Sequence, residues 1–424
     1  MYKPKIYYII TPKPDKNYFK NKFNLPCGEA FIPNLTALFY ASELNEKWKR
    51  VEYFDYYDEK MPIINKKDTQ EVHLFLGYAN YNNGLKLKKQ LETKGIKVFI
   101  NGIYNFIDGQ NFSDISVLKE RGIDSEKPVV SMDVKLNYDL LKSLPRLFKL
   151  QKQFGERKFL AVISQYYGCP KKLNCLHCNS DKVNWISCSV KLTKMPNEVI
   201  EEIIDLKRKY NLDMVILGDL MNTEARLKSL YETYQERSSS DKIPILKIST
   251  AANYVNEKSI KYLKGLNCKE VFLGLETYNE NLLIGLDKPF RVEDINRSLN
   301  LLYESKISAF ISIILGVPGE TEETLNRTLN FVNEWKSKQI DGKPFLKLQV
   351  TIVTPVPGSG LWKLFKSKNG VKDTLKLVES KDWIHKIQVK YLNLFFTKKV
   401  QRHILDVYNK LNKFAESSYV NFNF

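Results

Sequence analysis

Histidine and cysteine are scarce in this chain, with four of the first and six of the second among 424 residues. So few ligating side chains exclude a disulfide-stapled secreted scaffold and leave few places where a metal can be held. Long apolar runs are missing as well. The run Ile6-Tyr-Tyr-Ile-Ile10 is too short for a bilayer span or a signal-peptide core, so no membrane segment is expected and the chain reads as cytoplasmic. No arginine-rich motif or recognisable nucleic-acid module occurs. The formal charge of +18, from 66 basic against 48 acidic residues, is spread along the chain. Such a field favours an acidic partner, nucleic acid included, but a lysine-rich solvated surface accounts for it equally, and nucleic acid is the less favoured partner.

What the chain does have is a concentration of thiols. Cys169, Cys175 and Cys178 stand in Tyr166-Tyr-Gly-Cys-Pro-Lys-Lys-Leu-Asn-Cys-Leu-His-Cys178, directly after the strand-like run Phe159 to Ser164. Thiolates bind soft metals and iron-sulfur clusters, and a cubane held by only three of them keeps one iron open to a substrate or cofactor. Structural zinc is the alternative, with Cys188 completing a C-x5-C-x2-C-x9-C set that tetrahedral coordination accepts. The cysteines alone do not decide between these.

The hydropathy pattern predicts an α/β protein of two or three domains. Strand-like runs near 159, 214, 245, 270, 310 and 347 alternate with amphipathic stretches at Pro196 to Arg208, Arg291 to Ser305 and Thr321 to Lys336. That alternation means a parallel sheet with crossover helices, whose ligands gather at the carboxyl ends of the strands. Upstream, strands are expected at Lys5 to Ile10, Arg50 to Phe54, Val72 to Leu76 and Ile96 to Ile100, with helices at Asn34 to Glu46 and Gly84 to Lys94.

The order of the downstream motifs carries a resemblance. The Gly168-Cys-Pro start of the cysteine loop and His177 before the last cysteine come first, then Met214-Val-Ile-Leu-Gly-Asp219 and Lys247-Ile-Ser-Thr250. Next come Gly274-Leu-Glu-Thr277, Ser312-Ile-Ile-Leu-Gly-Val-Pro-Gly-Glu320 and Thr354-Pro-Val-Pro-Gly-Ser359. From residue 159 to about 362 the chain resembles the radical S-adenosylmethionine (SAM) enzymes, in the branch with an N-terminal cobalamin-binding-like domain. Six motifs in register lower the zinc reading. The C-x5-C-x2-C spacing departs from the usual C-x3-C-x2-C by two residues, read as a loop expansion; Thr277 replaces a usual serine, and Ala251 stands where relatives carry arginine.

The resemblance implies an open parallel sheet of cobalamin-binding, Rossmann or flavodoxin-like type at 1–150, a partial (βα)6 barrel at 151–362 and a small C-terminal cap at 363–424. It implies a [4Fe-4S] cluster on Cys169, Cys175 and Cys178, SAM on its open iron, and a 5'-deoxyadenosyl radical that abstracts hydrogen from carbon. Gly218 and Asp219 would meet the methionine moiety of SAM, Glu276 its amino-acid or ribose groups, and the Gly316 region its adenine. Cys188 is a candidate hydrogen-atom donor set against plain packing, Cys268 a packing residue, and His177 cover for the cluster.

Cobalamin is left open. No Asp-x-His-x-x-Gly motif is present, and the histidines are His73, His177, His385 and His403. Members lacking that ligand still hold cobalamin, and Gly77, Tyr78, Tyr81, Asn82 and Gly102 are then the candidates to line it. The implied activities are a cobalamin-dependent C-methyltransferase on a peptide or small metabolite, or a cobalamin-independent epimerase, cyclase or rearrangement enzyme. Either needs an electron donor such as a reductase, flavodoxin or ferredoxin. A zinc-stabilised RNA-binding protein is the alternative of another class.

Overall fold

Runs of β-branched and aromatic residues bounded by turn formers become strands here, and the amphipathic stretches between them become helices. The computed structural model describes residues 5–12, 35–47, 49–55, 61, 63–76, 81–102, 135–153, 157–162, 175–178, 194–218, 221–237, 242–356, 359–369 and 383–420.

The first sheet is built from Ile6–Ile10 (β1), Leu35–Glu46 (α1), Arg50–Phe54 (β2), Thr69–Leu76 (β3), Tyr81–Glu92 (α2) and Val98–Gly102 (β4). Its strands run parallel in the order β2-β1-β3-β4. Ile9, Ile10, Val72 and Leu74 are wholly buried, as a parallel sheet covered on both faces requires. From β1 the chain goes first to one side and then to the other, so the sheet's switch point lies between β1 and β3, where such folds bind ligands. Thr11 stands at the carboxyl end of β1. Its N–H reaches Phe54 O at 2.8 Å, while its buried Oγ1 has no partner among the described residues.

The second sheet holds Phe159–Val162 (β5), Met214–Leu217 (β6), Ile245–Thr250 (β7), Cys268–Glu276 (β8), Ser308–Leu315 (β9) and Leu346–Ile352 (β12), the last preceded by a hairpin of Gln339–Ile340 (β10) and Lys343–Pro344 (β11). All six are parallel and lie in chain order, the arrangement of a partial barrel. The intervening helices are Leu144–Gln153 (α3, before β5), Pro196–Tyr210 (α4), Glu224–Glu236 (α5), Glu257–Gly265 (α6), Glu280–Gly285 (α7), Val292–Glu304 (α8) and Glu322–Trp335 (α9); Gly360–Asn369 (α10), Trp383–Phe395 (α11) and Lys398–Val420 (α12) follow. Their starts obey capping chemistry: α4 opens on Pro196, and Thr321 accepts the Thr324 N–H ahead of α9.

Register sorts the residues that face the barrel's interior. Lys247 is opposite Glu270; Phe310 is flanked by Phe272 on β8 and Lys347 on β12, and Ser312 by Gly274 on β8 and Gln349 on β12. The interior is therefore layered. At its floor the Glu270 carboxylate takes Lys247 Nζ at 3.1 Å and Lys347 Nζ at 2.5 Å. Burial alone would raise the Glu270 pKa, but the two ammonium groups outweigh it and hold the carboxyl down at about 2. Phe272 and Phe310 meet edge-on at 5.0 Å above that floor, and Ser312 and Glu276 stand above them at the mouth.

Both sheet edges are covered, which removes the hazard of an unpaired strand. Against β5, the Gln151 amide pairs with Phe159 N and O (3.1 and 3.0 Å), and the Tyr138 hydroxyl donates to Ala161 O at 2.7 Å and accepts from Ala161 N at 3.2 Å. The same segment ties the two sheets together, since Asn137 N donates to Ser42 Oγ at 2.8 Å and Leu136 N to Glu202 Oε1 at 3.2 Å. On the other side α12 packs along β12 and α9, with His403 Nε2 at 2.9 Å from Asn326 Oδ1.

Candidate active site

The last two cysteines of the loop lie in the described structure. Cys178 N donates to Cys175 O at 2.9 Å, closing a turn that brings the two residues side by side. Two neighbouring elements hold that turn. Helix α7 ends with Asp287 in the left-handed conformation (φ 57), Lys288 N reaching Leu283 O at 3.0 Å and Asp287 N reaching Ile284 O at 2.9 Å, a Schellman closure. The closure frees two carbonyls for the loop: Leu286 O accepts from Leu176 N at 3.1 Å, and Asp287 O accepts from Cys175 Sγ at 3.7 Å. From the other side the first turn of α10 donates Leu361 N to Leu176 O at 2.7 Å. The Leu176 side chain packs into a small apolar cluster of Leu282, Leu286 and Val317.

Glu276 ends β8 beside this turn. A register shift between Gly274 and Glu276 and a positive φ of 69 at Glu276 fold its carboxylate back over the strand. Gly274 leaves room for the carboxylate in that position, since a Cβ on residue 274 would stand 2.8 Å from Glu276 Oε1. Lys288 Nζ donates to Oε1 at 3.0 Å, Ser312 Oγ to Oε2 at 3.1 Å, and His177 Nε2 lies 3.6 Å from Oε1. Burial alone would raise the Glu276 pKa, yet Lys288 first and His177 second hold it well below the usual carboxylate range. For Lys288 burial works downward, and Glu276, Cys175 and Cys178 in that order reverse it, so the ammonium stays charged beside both thiols.

The remaining mouth residues come from neighbouring strand ends. Gly218 follows β6, and its N–H is bound to Val162 O at 2.8 Å, where the cysteine loop leaves β5. Gly316 follows β9 with φ 88, a conformation that disfavours any side chain, and its N–H donates to Glu320. Burial pushes the Glu320 carboxyl up to about 8, although the Gly316 and Val317 N–H groups pull the other way.

Because its folded pKa lies above the ordinary 4.5, the stability Glu320 contributes is complete below pH 4.5 and is lost as pH rises through about 8. A Glu320→Gln variant should therefore show a flatter melting profile across that window, gaining roughly 5 °C relative to wild type at the alkaline end. Thermal unfolding of the metal-free protein in buffers from acidic to alkaline tests this, and parallel curves for the two proteins would refute it.

The structure thus brings Cys175, Cys178, His177, Glu276 and the Gly316 turn together, with Gly218 on the same mouth. Cys169, Cys188, Asp219, Gly77 and Tyr78 lie outside the described residues, as do the side chains of Tyr81 and Asn82. Gly102 closes β4 opposite Leu76. Cys268 is a buried packing residue whose thiol burial pushes up to about 12. Sequence reasoning missed Lys288 and Ser312. Lys288 carries a weak signal, a lone cation two residues after a helix-ending glycine and leucine; Ser312 carries none beyond its place in a strand.

Comparison with known proteins agrees with this geometry. Residues 163–332 match the Radical SAM superfamily. Residues 163–332 thus carry a likeness to the radical SAM domain, and that family's cofactors are the [4Fe-4S] cluster and SAM. The match favours the radical SAM reading over the zinc-protein alternative. An uncharacterised methyltransferase of Pyrococcus horikoshii is 26% identical over 211 residues, covering 49% of this chain and 42% of that relative. The chain therefore spans less than half of that relative's length. Two solved structures share the fold. TsrM from Kitasatospora setae, a radical SAM methyltransferase solved with tryptophan substrate and a SAM analog, has a TM-score of 0.60 at 12% identity, covering 87% of this chain and 77% of TsrM. OxsB, a cobalamin-dependent SAM radical enzyme solved with aqua-cobalamin and SAM, has a TM-score of 0.59 at 12% identity over 98% of this chain and 72% of OxsB. The two-sheet fold is shared with both of these structures. Among the described residues no helix is long and apolar enough to cross a membrane.

Proposed function

We propose that this radical SAM enzyme is a cobalamin-dependent C-methyltransferase acting on a peptide or small metabolite. The observation that carries the reading is the pairing of two parallel sheets whose ligand edges are both equipped: cysteines, Glu276 and Lys288 at one, and at the other a switch point where Thr11 Oγ1 is buried without a partner among the described residues. An orphaned hydroxyl at a switch point fits a polar ligand seated there. The methyltransferase likeness of TsrM and the cobalamin of OxsB support the same reading. Gly77, Tyr78, Asn82 and Gly102, after β3 and β4, are the proposed lining.

At the barrel mouth the residues fit cluster and SAM. Two half-buried thiols stand in a fixed turn, and His177 Nδ1 is buried with no partner among the described residues. Cys169, Cys175 and Cys178 would hold the cluster, which supplies the electron for reductive SAM cleavage. Gly218, Asp219, Glu276 and the Gly316 turn would position SAM, Lys288 would neutralise Glu276 and the nearby thiolates, and the Phe272–Phe310 layer would close the reaction space from below. Cys188 is the proposed hydrogen donor, and a flavodoxin, ferredoxin or reductase the proposed electron source. The proposed division of the chain is 1–150, 151–362 and 363–424.

Protein made with cobalamin supplied and purified anaerobically should carry a corrinoid absorption band. Turnover should then yield S-adenosylhomocysteine together with 5'-deoxyadenosine. The missing Asp-x-His-x-x-Gly motif favours a second reading, a cobalamin-independent epimerase, cyclase or rearrangement enzyme. A corrinoid-free protein that forms 5'-deoxyadenosine without S-adenosylhomocysteine would establish that reading instead.

A further inference from the structure

The turn Gly316 to Glu320 does not stand on the barrel alone. A Cβ on residue 316 would lie 3.2 Å from Leu392 Cδ2, 3.2 Å from Val353 Cγ1 and 3.8 Å from Ile404 Cδ1, so helices α11 and α12 rest directly on the glycine. One residue before Leu392, Tyr391 is wholly buried, its ring stacked on Phe395 at 4.5 Å and tilted against Phe365 at 6.3 Å. Its hydroxyl has no hydrogen-bond partner among the described residues. Burial first, and the nearby Glu320 carboxyl second, push the pKa of that hydroxyl up. Glu320 is itself only half satisfied: Oε2 accepts from Gly316 N, while Oε1 is buried and unpartnered among the described residues.

Two complementary buried polar atoms, one on the turn and one on the helix braced against it, are each left incomplete. Unmet groups of this kind are strongly disfavoured, whereas a phenol and a carboxyl satisfy each other across one enclosed water. We propose that the Tyr391 hydroxyl and Glu320 Oε1 join in this way, making Tyr391 a positioning residue that locks the Gly316 turn in its SAM-binding shape from the C-terminal helices. This rests on the reading that the Gly316 turn faces SAM. Packing and hydrogen bonding have separate jobs here: Leu392 and Ile404 press on the glycine, while Tyr391 fixes the carboxyl that holds the glycine's N–H.

The test uses the full chain with its cluster reconstituted, comparing wild type, Tyr391→Phe, Glu320→Gln and the double variant. Phenylalanine keeps the ring packing and removes only the hydroxyl. Tyr391→Phe should raise the SAM KM and dissociation constant by about tenfold, as loss of one hydrogen bond to a charged or polar site implies. Iron content and kcat for SAM cleavage at saturating SAM should stay unchanged. The melting temperatures of the four proteins should be non-additive, since the two groups act as a pair. Additive melting temperatures, or wild-type SAM affinity in Tyr391→Phe where Glu320→Gln loses it, would overturn the proposal. The underlying reading fails separately: non-additive melting with unchanged SAM affinity in all three variants would mean that the pair exists but that the turn does not face SAM.

Discussion

Replacing Cys169, Cys175 and Cys178 together by alanine should take the anaerobically reconstituted protein from about four irons per chain to none, with loss of its brown absorption. Cys175 and Cys178 are presented in a turn held by the end of α7 and the start of α10, and neither thiol is deeply buried. The metal-free variant should therefore fold, with a melting temperature close to that of the metal-free wild type. Single replacement of Cys175 or Cys178 should suffice to lose the intact cluster, because a three-thiolate site has no spare ligand. Cys188→Ala should leave the iron untouched. Iron and sulfide analysis of the variants checks this. A colourless wild-type protein binding one zinc, and losing it with Cys188→Ala, would overturn the assignment.

Much of the fold was legible because parallel strands buried on both faces read as short apolar runs. All six barrel strands begin within a few residues of where the hydropathy pattern places them. Helix ends were readable where a cap or proline marks them, as at Pro196 and Thr321, and less so elsewhere: α2 opens at Tyr81 rather than Gly84, and the expected divisions at 150 and 362 fall inside α3 and α10. The segments about those divisions are joined to the barrel by side chains such as Gln151, Tyr138 and Gln388, which pair with strand backbone and leave no trace in hydropathy.

The candidate site was legible where chemistry needs a motif and illegible where it needs only proximity. The cysteine loop, Glu276 and Gly316 are marked by spacing and by glycines. Lys288 and Ser312 reach Glu276 from twelve and thirty-six residues away, through a helix closure and a strand register, and Leu392 and Ile404 of the C-terminal helices come to rest on Gly316. No local pattern encodes such meetings. They depend on which strands pair and on which helix covers the last strand, and both are properties of the assembled barrel.

Breaking the Glu276–Lys288 pair should have the largest effect on stability of any single change at the mouth. Both side chains are nearly enclosed, with 8% and 9% of their surface exposed. Removing either partner strands the other's charge, a change that typically costs about 3–5 kcal/mol. Lys288→Met and Glu276→Ala should each destabilise the metal-free protein by about that amount in urea unfolding, whereas Glu276→Gln combined with Lys288→Met should recover most of it, since neither residue then carries an unpaired charge. The pH dependence has the sign of a depressed carboxyl: the wild type keeps this contribution above pH 4.5 and loses it only as pH falls toward the lowered folded value. Function separates from stability in the double variant. It should fold well yet bind SAM on the order of tenfold or more weakly, because the charged acceptor that Ser312 and Lys288 orient is gone. Single variants within about 0.5 kcal/mol of wild type would mean that solvent reaches the pair, and a double variant with full SAM affinity would remove Glu276 from the SAM site.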